Sequence, residues 1–106
     1  MSESKKVGFV AVYHWRVRPE LLQQFLSSWE AVTLGIKAHR GGLGSKLHRA
    51  EDGTYVAYAQ WPDRETWAAM GSLPSADPQA SQAMQEAIEE ALPPLYLVPL
   101  ANLLES

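Results

Sequence analysis

Apolar and polar positions along the chain fall into two periods that alternate several times. From Val7 to Val17 the period is two. Phe9, Ala11, Tyr13, Trp15 and Val17 fall on one face of an extended chain; Val10, Val12, His14 and Arg16 fall on the other. Both faces are largely apolar, which predicts a central strand. After Arg18-Pro19-Glu20 the spacing changes to three and four. Leu22, Phe25, Leu26, Trp29, Val32, Thr33 and Ile36 make one helical stripe. Pro19 suits the first helical position and Glu20 the positive end of the helix dipole. Gly35 costs such a helix about 1 kcal/mol relative to alanine and marks a close approach or early fraying. Lys37, His39 and Arg40 suit the C-terminal end, and Gly41 the left-handed cap.

Gly42 to Ala50 is a second strand, with Lys46, His48 and Arg49 suited to a sheet edge. Glu51-Asp52-Gly53 is a hairpin turn. Thr54 to Trp61 is the next strand, rich in aromatic and small apolar residues and free of charge, so central. Pro62 ends it. Asp63 is placed to cap a short helix, Arg64 to Met70, by accepting a backbone N–H from Glu65 or Thr66. Gly71 to Ala76 breaks that helix, and Asp77-Pro78 opens another. Ala80, Ala83, Met84, Ala87, Ile88 and Ala91 form its stripe, with Glu86, Glu89 and Glu90 on the wet side. Pro93-Pro94 is expected to stop it. Leu95 to Leu104 reads as a fourth strand, with Pro99 at an edge or bulge.

The order is strand, helix, strand, strand, short helix, helix, strand. This is the α+β, ferredoxin-like split βαβ pattern: a four-stranded antiparallel sheet with helices on one face. Three strands are apolar on both faces while helices cover only one. A second copy of the chain is the simplest cover for the other, so a homodimer through the open sheet face is expected.

The 106 residues suit a single domain spanning 1–106, with residues 1–6 a disordered tail. The absence of cysteine excludes disulfides, thiolate metal sites and cysteine nucleophiles. A net charge of −3 argues against nucleic acid as a partner. No apolar run reaches the roughly 20 residues that span a bilayer, and no signal peptide is evident, so no membrane partner and a cytoplasmic location are expected.

Val17-Arg18-Pro19-Glu20 with Phe25, Gly41-Gly42, and above all Tyr55-Val56-Ala57-Tyr58 leading to Trp61-Pro62-Asp63-Arg64-Glu65 and Trp67, resemble antibiotic biosynthesis monooxygenase domains. The resemblance spans about residues 7 to 100. It implies a dimeric α/β barrel of two face-to-face sheets, with a ligand pocket in each monomer between helices and sheet. Some members of that family oxidise polycyclic aromatic polyketides with dioxygen and no cofactor; others degrade haem. Haem-degrading members carry an asparagine on the first strand and a histidine on the last helix. Here residues 7 to 17 hold no asparagine and the last helix no histidine, which disfavours haem. Members often carry a histidine near the end of the short helix, where this chain has Met70.

A cofactor-free oxygenase needs an apolar, water-excluding pocket, aromatic walls and one group to donate or take a proton. The expected substrate is a small aromatic or quinol-type molecule, with no cofactor and no metal. Trp29, Tyr58, Trp61 and Trp67 are the expected substrate-binding walls, with Met70 beside them; each also reads as ordinary core. His14 is the candidate base or proton donor, and equally a hydrogen-bonded structural histidine. Which face of the first strand meets the helices decides between them, because a one-residue shift exchanges the faces. His39 and His48 read as helix-end and solvated residues, and the three histidines lack metal-binding spacing. Arg16 and Arg49 could meet a substrate's negative charge or simply water. No serine sits in a nucleophile elbow, and Gly41-Gly42-Leu43-Gly44 follows a helix rather than opening one, the wrong order for a phosphate loop. Alternatives are a small-ligand-binding dimer without catalysis and a structural dimer with a filled interior.

Overall fold

The computed structural model describes residues 6–103. Residues 1–5 of the expected 1–6 tail and the end of the expected last strand at Leu104 lie outside the described residues. Strand β1 (Phe9–Val17) leads through a single 3-10 turn (Pro19–Leu21) into helix α1 (Leu22–His39). The hairpin β2 (Gly44–Arg49) and β3 (Tyr55–Trp61) follows, then α2 (Arg64–Met70), α3 (Pro78–Ala87) and β4 (Ile88–Leu97). The sheet is antiparallel throughout, in the order β2-β3-β1-β4, and it is not closed. The two strands read as central are central, and β2 is an edge.

Local chemistry sets the element ends. Asp63 accepts from the Thr66 N–H at 2.7 Å and Asp77 from the Ala80 N–H at 3.1 Å, each closing an otherwise orphaned donor at a helix start. The Ala50–Thr54 turn is closed by Ala50 N–H donating to Thr54 O at 2.8 Å. Gly41 takes φ +84° past the end of α1, a conformation that favours glycine. Gly35 marks a close approach: a Cβ there would stand 3.2 Å from Ala76 Cβ, so the segment after α2 lies directly on α1.

The helices pack on the β1 face that carries Phe9, Ala11, Tyr13, Trp15 and Val17. Phe25 from α1 is fully buried with Val17 and Ala87, its ring 5.5 Å from Trp15 and 5.8 Å from Tyr55 between centroids. A second buried cluster joins Phe9, Ala11 and Trp61, with Trp67 and Met70 packed against it. The other face, bearing Val12, His14, Val56 and Tyr58, carries no helix.

The end of the chain departs from expectation. The last helix stops at Ala87, and the residues read as its final turns, Ile88 and Ala91 among them, belong to β4. Pro93-Pro94 lies inside the strand and does not end a helix. The register explains how the sheet accepts it. Val12 pairs with Leu95 and His14 with Leu92, so Tyr13 alone stands opposite Pro93-Pro94 in a bulge. A second shift leaves Glu89 as an extra residue between the pairs Arg16–Glu90 and Val17–Ile88. Since β4 pairs only with β1, prolines that lack an N–H cost no second ladder. Residues 98–103 are not in regular structure, so the strand is displaced toward the N-terminus by several residues from the expected Leu95 start.

Candidate active site

A cavity of about 220 Å³ lies between the sheet and the helices. Its origin is visible in β3. Tyr55, Ala57, Ala59 and Trp61 share the helix-side face, so two methyl groups stand between two large rings. Ala59 pairs with Ala11, and Ala57 with Tyr13. These small side chains leave room that α1 roofs with Trp29, Val32, Thr33 and Ile36 and that Met70 and Met84 close at the sides. The wall is almost wholly apolar, which suits a neutral, flat molecule.

Tyr13 brings a polar group to this wall. Trp67 Nε1–H donates to Tyr13 Oη at 2.9 Å, leaving the phenol's own O–H free to be given elsewhere. Burial raises the Tyr13 pKa; the Trp67 hydrogen bond opposes that rise and the nearby Tyr96 adds to it. The phenol is therefore neutral at ordinary pH and acts as a donor. Trp67 is itself fixed by Phe9 and Tyr96, with centroid distances of 5.2 and 4.8 Å, and the Arg64 guanidinium lies 5.6 Å from its ring centre. Trp61 Nε1 and Ser45 Oγ, both in residues that line the cavity, are buried and have no hydrogen-bond partner among the described residues.

The expected site residues divide by sheet face. Trp29 and Trp61 line the cavity. Trp67 does not line it and reaches it through Tyr13. Tyr58 lies on the open face, 37% exposed, because it is one residue out of phase with Ala57 and Ala59. His14 also lies on the open face, paired with Val56. Its Nε2 is 2.7 Å from Thr54 Oγ1, whose hydroxyl donates to Asp52 Oδ1 at 2.6 Å. With that hydroxyl proton committed to Asp52, His14 Nε2 is the donor to Thr54. Asp52 is held below the usual carboxylate range by its bonds to Thr54 and, to a smaller extent, by the charges of His14 and Arg16. Arg16 meets Glu90 at 3.1 Å on the same face. The histidine read as a base thus sits in a hydrogen-bonded network away from the cavity. Tyr13, on the opposite face of β1, is the residue whose hydroxyl stands at the cavity wall. The alternation of β1 sets Tyr13 and His14 on opposite faces but does not say which face meets the helices.

Among the described residues no cluster of three or more histidine, aspartate or glutamate side chains could hold a metal ion. Nor is any helix among them long and apolar enough to cross a membrane.

Known proteins share this fold. SnoaB, a cofactor-independent oxygenase from Streptomyces nogalater, superposes with a TM-score of 0.75 at 17% identity, over 94% of this chain and 100% of that one. A monooxygenase from the ActVA-Orf6 gene of Streptomyces coelicolor, solved with the ligand nanaomycin D, gives 0.68 at 25% identity over 94% of each chain. Rv0793 from Mycobacterium tuberculosis gives 0.70 at 16% identity over 90% of this chain and 97% of that one. No curated protein matches the chain. The profile of the antibiotic biosynthesis monooxygenases covers residues 8–90, from the start of the sheet into β4, and the chain belongs to that family.

Proposed function

We propose that this protein is a monooxygenase that uses dioxygen, without metal or flavin, on a small neutral aromatic of the phenol or quinol type held in the 220 Å³ cavity. The observation that carries the reading is the Tyr13–Trp67 hydrogen bond at the wall of an otherwise apolar enclosure. In its keto form such a substrate presents a ring CH2. Loss of one proton to solvent water, which returns it to the reduced oxygen at the end, gives an enolate, whose oxygen the neutral Tyr13 hydroxyl can meet with a hydrogen bond as negative charge builds. The electron-rich carbon then reduces dioxygen. One oxygen atom stays on the carbon as a carbonyl, and the other leaves with both hydrogens as water. Trp67 acts through Tyr13 by holding its oxygen in place, as a positioning residue. The apolar walls exclude water from the anion.

The test is oxygen uptake with a panel of neutral one- and two-ring phenols and quinols, on the wild type and Tyr13→Phe. Uptake by the wild type with at least one compound is expected. The variant should keep KM within a few-fold and lose about a hundredfold in kcat, the usual cost of removing one oxyanion donor. No uptake with any compound would sink the reading. A second reading, binding without turnover, draws on the fact that no carboxylate or imidazole lines the cavity to take the first proton. Saturable binding with no uptake would favour it.

We also propose that the working form is a homodimer through the open sheet face. Leu95 is 62% and Leu97 41% exposed on that face, beside Tyr58, Val12 and Val56. A contiguous apolar sheet face of this kind favours burial against a second copy.

A further inference from the structure

A second cavity of about 210 Å³ lies beside the first, under the segment from Leu73 to Ala76. Val32, Ile36 and Met70 line both. The two spaces therefore share three lining side chains. Val32 and Ile36 are β-branched and stand on the long helix α1, so they are stiff. Met70 ends the short helix α2 and has an unbranched side chain that changes shape at little cost. Its neighbours beyond the wall are held in place. Arg40 Nη2 donates to Pro74 O at 2.8 Å, and Ala76 rests on the bare backbone of Gly35. The outer cavity thus has a firm roof and a soft inner wall.

Size decides what the inner cavity takes. An engineered apolar cavity of about 150 Å³ holds one benzene ring. By that measure about 220 Å³ matches one ring or two fused rings, and a third ring has to extend beyond this space. We propose that Met70 is the specificity-determining residue of the site: its side chain closes the inner cavity at two-ring ligands, and only its displacement joins the outer space and admits three rings. This rests on the proposed ligand-binding role of the inner cavity.

The experiment compares binding of 2-naphthol and 2-anthrol, two- and three-ring neutral phenols, by quenching of tryptophan emission from Trp15, Trp29 and Trp61. The full chain and its Met70→Leu, Met70→Val and Met70→Ala variants are used. The wild type and Met70→Leu should prefer 2-naphthol by at least tenfold. Met70→Val should narrow that preference, and Met70→Ala should abolish it by tightening 2-anthrol. A wild type that binds both phenols equally overturns the size limit and leaves the cavity reading intact. A preference unchanged in Met70→Val and Met70→Ala removes Met70 from the role. No binding of either phenol by any form removes the cavity reading and this inference together.

Discussion

Trp67 Nε1 and Tyr13 Oη stand 2.9 Å apart, joining α2 to the central strand across 54 positions of sequence. The bond ties the short helix to the sheet and fixes where the phenol's remaining proton can go.

Burial of the same phenol makes stability depend on alkaline pH, and the Trp67 bond only moderates that dependence. The folded-state pKa of Tyr13 lies above its ordinary value of 10.0, chiefly through burial. A raised acid contributes stability that is fully present below the unfolded value and lost as pH rises through the folded one. The melting temperature of the wild type should therefore fall above about pH 10, and that part of the fall should be missing in Tyr13→Phe. The variant should also melt lower than the wild type at pH 7, because Trp67 Nε1 loses its acceptor, at a cost of about 1–2 kcal/mol. Thermal melts from pH 7 to 11 check both.

Filling the cavity should separate ligand binding from folding. Ala59 stands on the floor between Tyr55 and Trp61. Ala59→Leu adds three carbons where space exists, so it should cost less than the roughly 1–3 kcal/mol of overpacking a filled core. Binding of any aromatic ligand should weaken at least tenfold while the circular dichroism spectrum is retained. Unchanged binding would show that ligands sit elsewhere.

The His14–Thr54–Asp52 network should speak through acid stability. The Asp52 carboxylate is lowered from its ordinary 3.8, first by the Thr54 hydrogen bonds. A lowered carboxylate contributes stability present above the unfolded value and lost as pH falls through the folded one. Asp52→Asn should melt below the wild type at pH 7, and the gap should close as pH drops below about 4. A gap constant from pH 7 to 3 would remove charge from the explanation.

The open face should report on assembly. Sedimentation of the wild type is expected at twice the 11.8 kDa chain mass, and Leu95→Asp should move it toward the single-chain value. A charge placed on a face meant for burial is costly only if that face is buried. A wild type that stays at one chain mass in the micromolar range would count against the dimer.

Much of the fold was legible because its signals are local. The alternation around Phe9–Val17 and Tyr55–Trp61, the stripe from Leu22 to Ile36 and the caps at Asp63 and Asp77 each act within a few residues. The α3–β4 junction was not legible, and the reason is physical. Ile88 and Ala91 continue a helical spacing, and Glu89 and Glu90 favour helices. What makes the segment a strand is pairing with β1, some 75 residues earlier in the chain, including the Arg18 N–H donated to Ala87 O at 2.8 Å. Propensity yielded to a partner that no local window contains. The same limit hid which face of β1 lines the cavity. The sequence showed that Tyr13 and His14 face opposite ways but not which of them meets the helices. Trp29 and Trp61 could be named because large rings on helix-facing positions line whatever space remains. Tyr58 and His14 share the open face by the same one-residue phase.

The paired prolines of β4 have a consequence beyond register. Positions 93 and 94 have no amide hydrogen to offer, and they lie midway along a strand whose far side is unpaired. A foreign strand trying to zip onto that rim would meet a gap in its donors at once. The border most open to runaway fibre growth is interrupted by its own covalent chemistry, so stacking of molecules rim to rim is discouraged while the broad flank of the sheet stays free for a closed pairing.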